Sequence, residues 1–130
     1  MLCIGMWQAL SPRTILVVDD EPFIRMFALA TLEDAGFMVL QARNSAEALD
    51  ILGRHDEISI LVTDVRMPGA MDGLALVARV HADHPAIQSI VVSGSSSSRD
   101  ARAAGALGFI AKPYVAQTML VAVNDAILRH

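Results

Sequence analysis

Ile15-Leu16-Val17-Val18-Asp19-Asp20-Glu21-Pro22 passes from four consecutive apolar residues to three consecutive acids and a proline. The apolar run has no polar alternation, which suits a strand covered on both faces, as in a parallel sheet. Pro22 opens a helix well, because the N–H it lacks is one that the first turn leaves unbonded anyway. Strand, short acidic turn and helix form the repeating unit of an α/β fold.

Two further apolar runs end in charge. Ile60-Leu61-Val62-Thr63 stops at Asp64, and Leu107-Gly108-Phe109-Ile110-Ala111 stops at Lys112-Pro113. As neighbouring strands of one parallel sheet, these runs would bring three carboxylates and one ammonium to a single rim. That arrangement is poor for stability and well suited to holding a divalent cation beside a phosphoryl group.

Along the rest of the chain, short apolar runs alternate with segments of helical period. Ile24, Phe27, Ala28, Leu32 and Ala35 mark the inner face of a first helix, which Gly36 ends. Phe37 to Ala42 reads as a second strand. Asn44 and Glu47 form a capping box ahead of a helix through Ala46, Leu49 and Leu52 to Arg54. Ile58 to Thr63 is the third strand, and Met67 to Met71 a loop. Asp72 or Gly73 starts a helix through Leu74, Val77, Ala78 and His81 that stops before Pro85. Ile87 to Val92 is the fourth strand, and the small, polar stretch after it leaves room only for a short helix near Arg99 to Ala104. Leu107 to Ala111 is the fifth strand. Val115 to Arg129 is the last helix, with Met119, Leu120, Val123 and Ile127 inward.

This alternation predicts a doubly wound five-stranded parallel sheet with helices on both faces, joined by right-handed crossovers. With strand order 2-1-3-4-5, the switch point lies between strands 1 and 3, where ligands bind outside the carboxyl ends. Asp19, Asp20 and Asp64 fall at that point.

Composition narrows the function. At 130 residues, with 54% hydrophobic and 18% charged residues, the chain is one globular domain and not a disordered segment. Its net charge of −4 and lack of a basic stripe argue against direct nucleic-acid binding. Cys3 is the only cysteine, which rules out an internal disulfide and fits a reducing cytoplasm. No apolar run approaches the roughly eighteen residues that a membrane span requires. Residues 1–13 read as a loose N-terminal extension, without the basic n-region or cleavage site of a signal peptide, and 14–130 as the domain.

Three carboxylates within a few ångströms repel one another, so some must protonate or a cation must neutralise them. Hard oxygen donors with open positions for water and phosphate suit Mg²⁺. An aspartate can attack phosphorus to give an acyl phosphate, while a cation and a lysine stabilise the charged oxygens. A single strand-end acid would be read as a helix cap or a solvated charge. Three acids and Lys112, all at strand ends, point to a site.

The stretches Leu16 to Arg25, Leu61 to Leu76, Val91 to Gly94 and Gly108 to Tyr114 together resemble the receiver domain of two-component response regulators, over about Thr14 to His130. The resemblance implies a flavodoxin-like fold that takes a phosphoryl group from the phosphohistidine of a sensor histidine kinase, or of a histidine phosphotransfer protein, onto Asp64 with Mg²⁺. It implies that Asp20 and Asp64 ligate the metal directly, Asp19 through water, and Arg66 through its backbone carbonyl. Lys112 would pair with the phosphoryl group, and Pro113 would follow a cis peptide. Ser93 matches the hydroxyl that turns toward the phosphoryl oxygen, and Phe109 the aromatic whose rotamer tracks it. The output would be a changed surface for a downstream protein target or a homodimer.

Three features depart from the family pattern. The loop from Met67 to Gly73 carries one extra residue, the stretch between Ser93 and Lys112 is short and serine-rich, and Phe109 lacks a tyrosine's hydroxyl. His55, His81, His84 and His130 are scattered without ligand spacing and read as ordinary surface histidines. A haloacid-dehalogenase-like phosphatase would need a second acid where Arg66 stands. A flavodoxin-type cofactor site would not place Asp19-Asp20-Glu21 against a phosphate. The expected role is a stand-alone receiver, with the receiver portion of a hybrid kinase or multidomain regulator, or a phosphate sink, as alternatives.

Overall fold

The computed structural model describes residues 13–129, so the expected N-terminal extension lies, but for Arg13, outside the described residues. Strands β1 (Thr14–Val18), β2 (Met38–Ala42), β3 (Ile58–Asp64), β4 (Gln88–Ser93) and β5 (Gly108–Ala111) alternate with helices α1 (Pro22–Asp34), α2 (Ser45–Arg54), α3 (Gly73–Asp83), α4 (Ser98–Ala104) and α5 (Ala116–Leu128). The strands form one parallel sheet in the order β2-β1-β3-β4-β5. Fold class and strand order are those predicted.

Side-chain alternation explains the unbroken apolar runs. Ile15 and Val17 pack with Ile60, Val62 and Ile90 beneath Ala28 and Leu32 of α1 and Met119 and Val123 of α5. Leu16 and Val18 pack on the other face, with Leu61 and Val91, against Ala48, Leu76, Val77 and Ala101 from the remaining helices. Fully burying one such aliphatic side chain contributes about 1.5–3 kcal/mol. The central strands β1, β3 and β4 are buried almost throughout, whereas β2 and β5 are partly exposed. Their carboxyl ends carry Asp19, Asp64 and Ser93, so the site rests on the part of the sheet hardest to deform.

Helix rotation differs from the periodic reading in places. In α3 the buried residues are Gly73, Leu76, Val77 and Val80, while Ala78 and His81 are exposed. The cause lies at Gly73: a Cβ there would fall on the Asp64 carbonyl oxygen and within 2.8 Å of the Val65 Cα. This backbone contact sets which face of α3 turns inward. In α2, Ser45, Ala48 and Leu52 are buried and Ala46 is exposed. In α1, Ala28 and Leu32 form the buried stripe, whereas Phe27 and Ala35 are exposed. Met119 and Val123 are buried in α5 together with Ala126, and Leu120 and Ile127 are half-buried.

The caps are mostly side chains chosen for the purpose. Asn44 Oδ1 accepts from the Glu47 N–H at 2.9 Å, while Glu47 reaches back to the Arg43 N–H, one residue before the cap. Asp72 Oδ1 accepts from the Ala75 N–H at 2.9 Å to start α3. The seven-residue α4 opens on Ser97, whose Oγ accepts from the Asp100 N–H, and closes on Gly105 at φ 109°. It is as short as the serine-rich sequence predicts.

Candidate functional site

The site stands where the chain leaves β1 and β3 in opposite directions across the sheet. Asp19 directly follows β1, Asp20 comes next, and Asp64 is the last residue of β3. One carboxylate oxygen from each of the three lies within 4.8 Å of the others. Asp19 and Asp64 are buried, at 5% and 8% exposure, and Asp20 is exposed. Oxygen donors this close, two shielded and one open to water, fit Mg²⁺, which takes one or two carboxylates and retains several waters.

Lys112 supplies the positive charge. β5 is not a neighbour of β3, because β4 lies between them. The lysine's length spans the gap: Nζ lies 3.4 Å from Asp19 Oδ2 and 3.3 Å from Asp64 Oδ1. Its backbone N–H donates to the Ser93 carbonyl at 2.9 Å, which ties the end of β5 to the end of β4. The Lys112–Pro113 peptide is cis.

Burial pushes the Asp64 carboxyl above its ordinary pKa; the Lys112 charge opposes this and the Asp19 charge reinforces it. Burial disfavours the Lys112 ammonium, yet Asp19 and Asp64 hold its pKa above the usual lysine value. The lysine is therefore a cation at neutral pH, and the acid beside it is held at an electrostatic cost that a divalent cation would relieve.

Backbone contacts fix Asp64 further. Thr63 Oγ1 donates to its carbonyl at 2.8 Å, and the Val65 N–H donates to its Oδ1 at 2.8 Å. The Gly73 N–H donates to the Val65 carbonyl at 2.8 Å, closing the loop after β3. In that loop Gly69 stands at φ 108°, a left-handed conformation that suits glycine. Arg66 is exposed and, with Asp20, Met67 and Asp72, lines an open cleft of ≈ 550 Å³.

Ser93 is 3% exposed, and its Oγ accepts from the Ser95 and Ser96 N–H groups at 3.1 and 2.9 Å. Both lone pairs are thus engaged and its O–H remains to donate. Phe109 is half-buried against the cluster that contains Val91 and Ala101. It pairs in register with Val91, two residues before Ser93, so strand alternation puts Phe109 and Ser93 on the same face.

Three neighbours of the site escaped sequence reasoning: Arg25, Gln41 and Tyr114. Arg25 Nη1 donates to the Asp19 carbonyl at 2.8 Å, and its Nε donates to Gln41 Oε1 at 2.8 Å. Tyr114 is half-buried, with a hydroxyl pushed up to about 12 by burial and by the charge of Asp19, and its ring lies 5.8 Å from that of Phe27. The available signal was a cation one turn into α1 and a lone glutamine in an otherwise apolar strand.

A model of the response regulator receiver domain family matches residues 15–124. This chain belongs to the response regulator receiver domains. The receiver is 34% identical over 119 residues to a chemotaxis protein CheY homolog of Campylobacter jejuni, covering 87% of this chain and 91% of that protein. It is 35% identical over 116 residues to sensor kinase CckA of Brucella abortus, covering 86% of this chain and 12% of the kinase. The receiver thus spans a small part of some relatives and nearly all of others. A solved CheY-like receiver domain from Methanospirillum hungatei superposes with a TM-score of 0.85 at 26% identity, over 92% of this chain and 96% of that one. Among the described residues, no helix of the receiver is long and apolar enough to cross a membrane.

Proposed function

We propose that Asp64 accepts a phosphoryl group from the phosphohistidine of a sensor histidine kinase or histidine phosphotransfer protein. A carboxylate oxygen of Asp64 forms the new P–O bond as the P–N bond breaks. The departing imidazole keeps the bonding electron pair and takes a proton from water. The observation that carries this assignment is the meeting of three carboxylates within 4.8 Å with the Lys112 ammonium 3.3 Å from Asp64.

Asp20 and Asp64 would hold Mg²⁺ directly, Asp19 would do so through water, and the Arg66 carbonyl would complete the protein's share. Bound Mg²⁺ would neutralise the acids and the developing charge on the phosphoryl oxygens. Lys112 then exchanges its carboxylate partners for a phosphoryl oxygen. Ser93 gives up the Ser95 and Ser96 amides and donates its O–H to the phosphoryl group, and Phe109 turns into the space released. The surface of α4, β5 and α5 changes as a result and is read by a downstream protein or a second copy of the domain. The receiver promotes its own phosphoryl transfer and dephosphorylation, and acts in the cytoplasm as a signalling module.

The donor docks beside the site on α1. Phe23, Met26 and Phe27 are 84%, 60% and 44% exposed there, an apolar ledge next to the acids. Incubating wild type and Asp64→Asn with a small acyl-phosphate donor and Mg²⁺, then weighing the intact chain, tests the assignment. The wild type gains one phosphoryl mass and the variant none; equal gain in both would overturn it.

A further inference from the structure

We infer that Arg25, seated by Gln41, is a positioning residue for divalent-cation binding: it fixes the peptide between Asp19 and Asp20 and so aims both carboxylates before the cation arrives. The inference rests on the assignment of Mg²⁺ to the Asp19, Asp20 and Asp64 cluster.

Asp19 is held at every polar group. Its N–H donates to the Ala42 carbonyl at 3.1 Å, its Oδ1 accepts from the Glu21 N–H at 2.9 Å, and its Oδ2 accepts from Lys112 Nζ. Its carbonyl is the group that must leave the sheet ladder, because the chain turns toward Pro22 and α1 at this point. Arg25 Nη1 takes that carbonyl at 2.8 Å. The same peptide plane carries the N–H of Asp20, so fixing it restricts the direction in which the Asp20 Cβ projects. Asp20 is exposed, so the backbone is what aims its carboxylate.

Gln41 acts on the other side of the guanidinium. Its Oε1 accepts from Arg25 Nε at 2.8 Å, so the planar fork is held between β2 and the turn after β1. Lysine could carry the charge but could not bond both partners in a fixed plane. Charge and positioning act in opposite senses here. A cation beside the acids weakens binding of a second cation, whereas a preset turn strengthens it. Groups that orient metal ligands typically change affinity by about 10–100-fold, and the inference is that positioning outweighs the repulsion.

The test is calorimetric titration of Mg²⁺ into wild type, Arg25→Met, Arg25→Lys, Gln41→Leu and the Arg25→Met/Gln41→Leu double variant, with urea unfolding of each and the rate of phosphoryl uptake against Mg²⁺ concentration. Arg25→Met is expected to weaken Mg²⁺ binding about 10-fold, Arg25→Lys to recover only part of it, and Gln41→Leu to add nothing in the double variant. Saturating Mg²⁺ restores the uptake rate, since the loss lies in cation binding and not in transfer. Should Arg25→Met prove too unstable to titrate, Gln41→Leu carries the test alone, with a smaller loss expected. Unchanged or tighter Mg²⁺ binding in Arg25→Met, or in Gln41→Leu alone, overturns the inference while leaving the cluster assignment standing. A wild type that binds no Mg²⁺ overturns both.

Discussion

Lys112 Nζ lies 3.3 Å from Asp64 Oδ1 although the whole of β4 stands between the strands that carry the two residues. The same ammonium is 3.4 Å from Asp19, so it serves as the counter-ion of the acid cluster while no stronger cation competes. Lys112→Ala is therefore expected to bind Mg²⁺ at least as tightly as wild type, because the ligands proposed for the cation are the acids. Its phosphorylated form should lose the coupling of Asp64 to Ser93 and Phe109. Calorimetry gives the first quantity; amide exchange of α4 and β5 with and without the phosphoryl donor gives the second, and the exchange difference should shrink.

Asp64→Asn should stabilise the fold at neutral pH. The Asp64 pKa is raised, mainly by burial, so the folded state binds the proton more tightly than the unfolded chain. Stability then falls as pH rises from the ordinary carboxylate range through the folded pKa. Removing that charge should raise Tm by about 3–5 °C for each kcal/mol gained in a domain of this size. Thermal melts of both forms across the acid-to-neutral range check it: the curves should converge at low pH and separate as pH rises. Lys112 acts in a different window. Its raised pKa contributes stability below 10.5 that is lost as pH climbs through the folded value.

Mg²⁺ should stabilise the chain by mass action. At tenfold its dissociation constant, the gain is about 1.4 kcal/mol. Asp20→Asn should abolish the shift while leaving the metal-free melt close to wild type, because Asp20 is exposed and Asp19 keeps its bonds. Melts with Mg²⁺ and with chelator separate the two effects.

Gly73→Ala should cost about 3 kcal/mol, near the upper end for overpacking, since the new methyl falls on the Asp64 carbonyl and no flexible side chain can yield. Gly53→Ala gives the contrast. It lies within α2 with nothing within 4 Å of its Cβ direction, and should stabilise by about 0.5–1 kcal/mol. Urea titrations with matched m-values measure both.

The acid-ended strands were legible because a parallel sheet puts every strand's carboxyl end on one rim. Apolar runs without alternation identify such strands whatever the helices do. The rotation of α3 was not legible, because a stripe of Leu74, Val77, Ala78 and His81 competes with one of Gly73, Leu76, Val77 and Val80, and only the backbone contact at Gly73 separates them. Nor was the reach of Lys112 across β4, which depends on side-chain length and not on strand adjacency. Arg25 and Gln41 are sixteen residues apart and meet only because β1 and β2 pair in register. Pairing of that kind leaves no periodic trace in either segment.

The proposed chemistry makes Asp64 the residue that holds the phosphoryl group. Treating the chain with an acyl-phosphate donor and Mg²⁺, reducing with borohydride and sequencing its peptides by mass spectrometry tests it most directly, since reduction converts an aspartyl phosphate to homoserine. Homoserine at position 64 alone is expected; homoserine at position 19 or 20, or none in the chain, would overturn the assignment of Asp64.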